Sequence, residues 1–221
     1  MRAVRTVERI AHRGAKREFP ENTLSSFHRA FELGADAVEL DVHGTQDGVI
    51  VVHHDPTLGR HGPAIRELTW AELAQHTEVP VPRLRDVLEA IPASATVYVE
   101  IKALGIEHAV SETLASVPVR CAVHSFDHAT IVRMREIAPK VARGVLFDGS
   151  LTALNDVLSR SAARDVWPQW KLIDQGLVNR VHARGCRVIA WTVNTREEAR
   201  RLAALGVDGI CSDDVRLLEE L

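Results

Sequence analysis

Cysteine is scarce in this chain: Cys121, Cys186 and Cys211 lie far apart, each in or beside an apolar run. That spacing fits neither a disulfide framework nor a set of zinc ligands, so buried free thiols in a reducing compartment are expected. Excess positive charge is missing too. Lys and Arg number 27 against 30 Asp and Glu, a formal net charge of −3, which leaves no basic stripe for a nucleic-acid partner. No apolar run approaches transmembrane length, and the opening MRAVRTVERIAHRG has no uninterrupted apolar segment of the secretory kind. Aromatic residues make up only 5% of the chain and give no sign of a broad apolar access surface. Internal repeats, low-complexity tracts and linkers are absent, so residues 1–221 are expected to form one domain. These absences describe a soluble, cytoplasmic protein without stable membrane insertion. No pattern in the sequence fixes an oligomeric state.

What is present centres on one stretch, DAVELDVHGTQDGVIVVHHD, from Asp36 to Asp55. Side chains alternate faces along a strand, so Glu39 and Asp41 share one face while Val38, Leu40 and Val42 take the other. Two like charges about 4 Å apart repel by roughly 4 kcal/mol at an effective dielectric near 20. A cation is expected between them. The alternative is that both acids face water on the solvated side of a hairpin.

The rest of the chain decides between these. A strand at Val7–Ala11 delivers His12-Arg13-Gly14, and a helix follows with Asn22 as expected N-cap and Gly34 as its stop. The central strand, Asp36–Val42, turns at Gln46-Asp47-Gly48 into a short hairpin extension, Val49–Val52, followed by an irregular connection from Thr57 to Glu67. Thr69–Glu72 and Thr195–Glu198 read as capping boxes, and Asp127 as a further cap. Strands are predicted at Thr96–Lys102, Val119–His124, Val141–Phe147, near Arg164–Trp167, at Cys186–Thr192 and at Asp208–Cys211, with helices between them and a last helix from Asp213. Eight near-continuous apolar strands alternating with helices predict a parallel sheet covered by helices. That count, without a Gly-rich first turn, favours a closed (β/α)8 TIM barrel of the α/β class over a doubly wound sheet.

Barrel active sites form at the C-terminal ends of the strands. There lie His12 and Arg13, Glu39 and Asp41, His54 after the hairpin, Glu100 and Lys102, His124 and Trp191. Glu39, Asp41 and Glu100 offer three hard oxygen ligands suited to Mg²⁺ or Ca²⁺. Arg13 and Lys102 add positive charge for an anionic substrate, while His12 and His54 can exchange protons near neutral pH. A dication, two cations and two imidazoles suit the cleavage of a phosphodiester.

The run AHRG…PENTLSSFHRAFELGADAVELDV, followed by the DG and IVVHHDPTL segments, resembles the glycerophosphodiester phosphodiesterase family. Weaker likeness continues through ELTWAEL, VPRLRDVL, VYVEIK, SFDH and AWTVNT, nearly to the end of the chain. The resemblance implies a (β/α)8 barrel that uses a divalent cation to hydrolyse glycerophosphodiesters to glycerol 3-phosphate and an alcohol. It implies His12 and His54 as catalytic residues, Glu39, Asp41 and Glu100 as metal ligands, Arg13 and Lys102 as phosphate contacts, and Trp191 as an aromatic flanking the substrate. It also implies attack by the glycerol's neighbouring hydroxyl to give a cyclic phosphate that water opens. Which imidazole is base and which is acid stays open, with His54 taken as first base and His12 as first acid. Two segments depart from the family pattern: the 57–67 connection is short, and DVWPQW before Lys171 matches poorly.

Several residues carry a structural alternative. His53 is expected to point away from His54, His124 to be either a hydrogen-bonded structural residue or a substrate contact, and Asp213 to cap the final helix. His43 stands where its strand enters a turn, and Lys102 could be a counter-ion for Glu100 alone. Two rival functions remain: a lysophospholipase D-type activity on the same barrel, which needs an apolar access surface, and a barrel that only binds phosphorylated ligands. Every expected catalytic position is filled, which argues against the second.

Overall fold

The computed structural model describes residues 7–221; the first six residues of the expected domain lie outside them. The strands are β1 (Glu8–His12), β2 (Ala37–Gly44), β3 (Ile50–Val52), β4 (Thr96–Ile101), β5 (Arg120–Ser125), β6 (Ala142–Phe147), β7 (Asp165–Pro168), β8 (Arg187–Ala190) and β9 (Gly209–Ser212). The helices are α1 (Leu24–Glu32), α2 (Trp70–Leu73), α3 (Leu84–Ala90), α4 (Glu107–Ala115), α5 (His128–Ile137), α6 (Leu154–Ser161), α7 (Gln175–His182) and α8 (Arg196–Leu205). β1 pairs in parallel with both β2 and β9, so β1, β2 and β4–β9 close into an eight-stranded parallel barrel. β3 folds back antiparallel on β2 as the extra strand of the expected hairpin.

The alternation of side chains sorts the strands into two cores. Val38, Leu40 and Val42 of β2, with Val97, Val99 and Ile101 of β4, pack outward in the large layer under the helices. Ile10, Ala37, Tyr98, Ala122, Leu146, Trp167, Ile189 and Cys211 fill the barrel interior. Below them Tyr98 donates a hydrogen bond to the Glu8 carboxylate, and Arg187 bridges Glu8, the Tyr98 hydroxyl and the buried Asp165. This charged plug closes the bottom of the barrel, leaving the opposite end open.

Two expected caps shift by one residue. Thr23, not Asn22, caps α1, in a reciprocal box with Ser26. Asn22 instead adopts φ +59°, and its amide reaches into the barrel. Asp214, not Asp213, caps the last turn, and that turn is a 3₁₀ helix (Val215–Leu218). The sequence predicts a helix over residues 172–184, but α7 begins at Gln175 under an Asp174 cap, because the chain first makes a 3₁₀ turn at Trp170–Leu172. Thr69, Asp127 and Thr195 cap their helices as expected.

The turn after β1 is tightly packed. Arg13 and Gly14 both have positive φ, +58° and +83°, and a Cβ on Gly14 would lie 2.4 Å from Ser26 Oγ and 2.7 Å from the Ser26 carbonyl carbon. The Gly14→Ala substitution therefore combines left-handed backbone strain of about 1–2 kcal/mol with an overpacking cost of about 1–3 kcal/mol. A loss of at least about 2 kcal/mol is expected, and thermal melting should fall by about 4 °C or more. An unchanged melting temperature would show that the turn relaxes freely.

Candidate active site

Strand register builds the site. His12 pairs with Glu39 across β1 and β2, Asp41 with Glu100 across β2 and β4, and Glu100 with His124 across β4 and β5. Each is an inward position one step above the apolar interior, so the side chains meet at the open end. His12, Glu39, Glu100 and His124, together with Arg13, His54, Lys102 and Trp191, line one cavity of ≈ 290 Å³, shared with Phe126, Leu146, Trp167, Thr192 and Cys211. Asp41, fully buried, lies behind the wall.

The carboxylates are short of positive charge. Burial pushes Glu39 up to about 7, with repulsion from Asp41 adding to it, and burial likewise lifts Glu100 to about 7. Asp41 behaves oppositely: burial alone would raise it, but Arg13, the Asn22 amide and Lys102 outweigh burial and hold it below its ordinary value. Arg13 Nε stands 3.0 Å from Asp41 Oδ2, Asn22 Nδ2 donates to the same oxygen at 3.0 Å, and Lys102 Nζ is 3.6 Å from Oδ1. Lys102 Nζ also sits 3.0 Å from Glu100 Oε1. Even so, Glu39 Oε2 and Asp41 Oδ1 are buried without any hydrogen-bond partner. Buried carboxylate oxygens left in this state cost stability unless a further cation serves them. Glu39, Glu100 and His124 present ligand atoms all within 4.8 Å of one another. The donor set fits a divalent cation.

The imidazoles are held differently. His12 Nδ1 hydrogen-bonds Asp213 Oδ1 at 2.6 Å, and Asp213 also accepts from Asn194 Nδ2 at 2.8 Å. Burial would raise Asp213, but the His12 and Asn194 hydrogen bonds hold it at about 2. With Asp213 gripping Nδ1, His12 turns Nε2 inward, 3.9 Å from Glu39 Oε2. His54 Nδ1 meets the exposed Asp55 carboxylate at 2.7 Å, and burial, with Arg13 and Lys102 nearby, lowers its pKa. His43, buried, donates from Nε2 to the His54 carbonyl at 3.1 Å and so fixes that backbone. His53 turns aside to the Asp55 carbonyl. His124 is pressed by burial to about 4, is neutral, and stands 3.6 Å from Glu39 Oε1.

Asp213 and His124 are the residues that sequence reasoning undervalued. Asp213 looked like a cap because it precedes a helical turn, and only the closure of β9 against β1 brings it to His12. Position alone gave a signal for His124, at a strand end with inward parity. The rim is also less polar than the aromatic content suggests. Phe19, Leu104 and Phe126, in the connections after β1, β4 and β5, are among the exposed large apolar side chains.

Comparison with known proteins gives the family. Residues 12–217 match the model of the glycerophosphoryl diester phosphodiesterase family. A glycerophosphodiester phosphodiesterase of Caldanaerobacter subterraneus is 32% identical, over 96% of each chain. A phosphodiesterase of Oleispira antarctica, solved with its product sn-glycerol 3-phosphate, superposes with a TM-score of 0.87 at 28% identity, covering 95% of this chain and 94% of that one. The glycerophosphodiester phosphodiesterase of Thermotoga maritima gives 0.86 at 27%, over 96% of each chain. This chain belongs to the glycerophosphoryl diester phosphodiesterase family, enzymes that hydrolyse phosphoric diesters.

Proposed function

We propose that this protein hydrolyses glycerophosphodiesters to glycerol 3-phosphate and an alcohol, with a divalent cation held by Glu39, Asp41 and Glu100 and with His12 and His54 moving the protons. The observation that carries the reading is the pair of unpartnered buried carboxylate oxygens beside two imidazoles and two cationic side chains. Three carboxylates, one dication, Arg13 and Lys102 leave one net positive charge, which the single negative charge of a phosphodiester neutralises. The three carboxylates are oxygen donors, which favours Mg²⁺ or Ca²⁺, with the His124 imidazole beside Glu39 and Glu100 as a further nitrogen donor, and a bound ion would stabilise negative charge on the phosphoryl oxygens.

His54 serves as first base, since its lowered pKa leaves it neutral at neutral pH. It accepts the proton of the glycerol hydroxyl next to the phosphodiester, and that oxygen attacks phosphorus. The bond from phosphorus to the alcohol breaks as His12 donates a proton to the departing oxygen. Water then opens the cyclic phosphate, with His12 taking water's proton and His54 returning one to the ring oxygen that leaves. Arg13 and Lys102 bind the phosphate, and Trp191 flanks the organic part of the substrate.

Asp213 steadies the imidazolium that forms on His12 and keeps Nε2 aimed at the substrate. Asp213→Asn should cut kcat by at least about tenfold, and by as much as about 10⁴-fold where an acid–base imidazole loses its orienting carboxylate, with KM little changed. An unaltered kcat would leave Asp213 a purely structural partner.

The functional test is a chelator-and-readdition assay across several glycerophosphodiesters, with glycerol 3-phosphate as the detected product. Chelation should abolish its release and Mg²⁺ or Ca²⁺ restore it; turnover that survives chelation removes the cation from the reaction. Three free thiols accord with a reducing, cytoplasmic setting. Among the described residues, no helix is long and apolar enough to cross a membrane. A lysophospholipase D-type activity is favoured by the apolar rim residues Phe19, Leu104 and Phe126. Hydrolysis of monoacyl glycerophosphocholine at a rate matching that of glycerophosphocholine would support it.

A further inference from the structure

The cavity has two chemically distinct halves. His12, Arg13, Glu39, His54, Glu100 and Lys102 make one charged side, contributed by β1, β2, β4 and their connections. Phe126, Leu146, Trp167 and Trp191 make the other, and Thr192 carries the one hydroxyl among the residues lining it. The Trp191 indole N–H is already given to the Trp167 carbonyl at 2.9 Å. Trp167 is 1% exposed and lies against His124, ring centroids 4.5 Å apart, and its indole Nε1, buried without a hydrogen-bond partner, belongs to the closed floor and not to the mouth. The floor is closed by Trp167, Leu146 and Ile189 in the barrel interior. A group on this side can extend only toward the mouth. There Phe126, 41% exposed, stands at 82° to Trp191 with ring centroids 5.4 Å apart. The two rings make a corner that opens outward.

A glycerophosphodiester has two organic arms. The glycerol arm carries hydroxyls that need hydrogen-bond partners, and the charged half supplies them. The alcohol arm is left to the aromatic half. We propose that Phe126 and Trp191 form the alcohol subsite and select a quaternary-ammonium alcohol, of the choline type, over a polyol. This rests on the diesterase reading of the same cavity. Methyl groups around a quaternary nitrogen bring no donor that must be satisfied, and the cation is attracted to the faces of aromatic rings. A polyol in the same corner would leave hydroxyls without partners. Phe126 stands exposed at the mouth, outside the charged machinery, which makes it the specificity-determining member.

The test compares kcat/KM for glycerophosphocholine, glycerophosphoglycerol and the methyl ester of glycerol 3-phosphate, in the metal-loaded protein and in its Phe126→Ala and Leu104→Ala variants. The unmodified protein should favour the choline diester over the glycerol diester by about tenfold. Phe126→Ala should lower kcat/KM for the choline diester by about tenfold and leave the methyl ester within about twofold. Leu104→Ala, exposed on the rim but outside the cavity lining, should change none of the three. Equal rates on choline and glycerol diesters, or an equal loss on all three substrates in Phe126→Ala, overturns the subsite. Failure to hydrolyse even the methyl ester would instead overturn the diesterase reading beneath it.

Discussion

Glu39→Gln is expected to remove at least about 10³-fold of the metal-dependent turnover, with Glu39→Ala, Asp41→Ala and Glu100→Ala similarly inactive. A dication held by these carboxylates would contribute several kcal/mol of charge stabilisation, and each 1.36 kcal/mol is a factor of ten in rate. Glu39 has the strongest claim, since its Oε2 is buried without a partner and its carboxyl is pushed by burial to about 7. The same shift predicts an opposite effect on stability in chelator. An unfolded glutamate titrates near 4.5, so between that pH and about 7 the folded chain holds a proton that the unfolded chain has lost. The carboxyl therefore destabilises the metal-free fold increasingly as pH rises through that window, and fully above it. Glu39→Gln should then melt higher than the unmodified protein at pH 8 in chelator, and no higher at pH 4. Loss of activity with a raised melting temperature assigns Glu39 to the chemistry. A lowered melting temperature at pH 8 would contradict the electrostatic account.

Replacing either of the imidazoles proposed to move protons should be nearly as severe. His12→Ala and His54→Ala are each expected to reduce kcat by about 10²–10⁴-fold, the usual contribution of a positioned acid or base, while metal binding persists. Metal-induced stabilisation against heat provides the second readout, since it depends on the carboxylates and not on proton transfer. The two variants should differ with substrate. A diester whose departing alcohol is strongly acidic, such as a nitrophenol, needs little protonation, so it should partly rescue His12→Ala and not His54→Ala. Rescue of His54→Ala instead would exchange the base and acid roles. Near-normal rates in either variant would remove that histidine from the mechanism.

The parity of β2 was legible without a structure, because alternation along a strand is a local rule. Glu39 and Asp41 had to share a face opposite Val38, Leu40 and Val42, and they do. Thr69, Asp127 and Thr195 were legible as caps for the same reason: a cap is satisfied by the backbone two or three residues away. Asn22 and Asp213 were misjudged because both are cap-forming residue types whose partners lie far off in the chain. Asn22 serves Asp41, 19 residues away, and Asp213 serves His12, 201 residues away. In each case the residue beside it took the cap. DVWPQW, the segment that departs from the family pattern, proves to supply the cavity floor through Trp167.

The sequence by itself determined the order of strands and helices, the inward parity of the acids and the residue types gathered at the strand ends. These follow from periodicities of two and 3.6 residues, which need no knowledge of distant neighbours. Only the tertiary structure decided that Asp41 is neutralised by Arg13 and Asn22 while Glu39 and Glu100 are left short of cations, and that Asp213 orients His12. It likewise decided that the cavity divides into a charged half and an aromatic half. Those outcomes depend on which strands become neighbours when the barrel closes, and on burial, which sets the energy of every charge inside it.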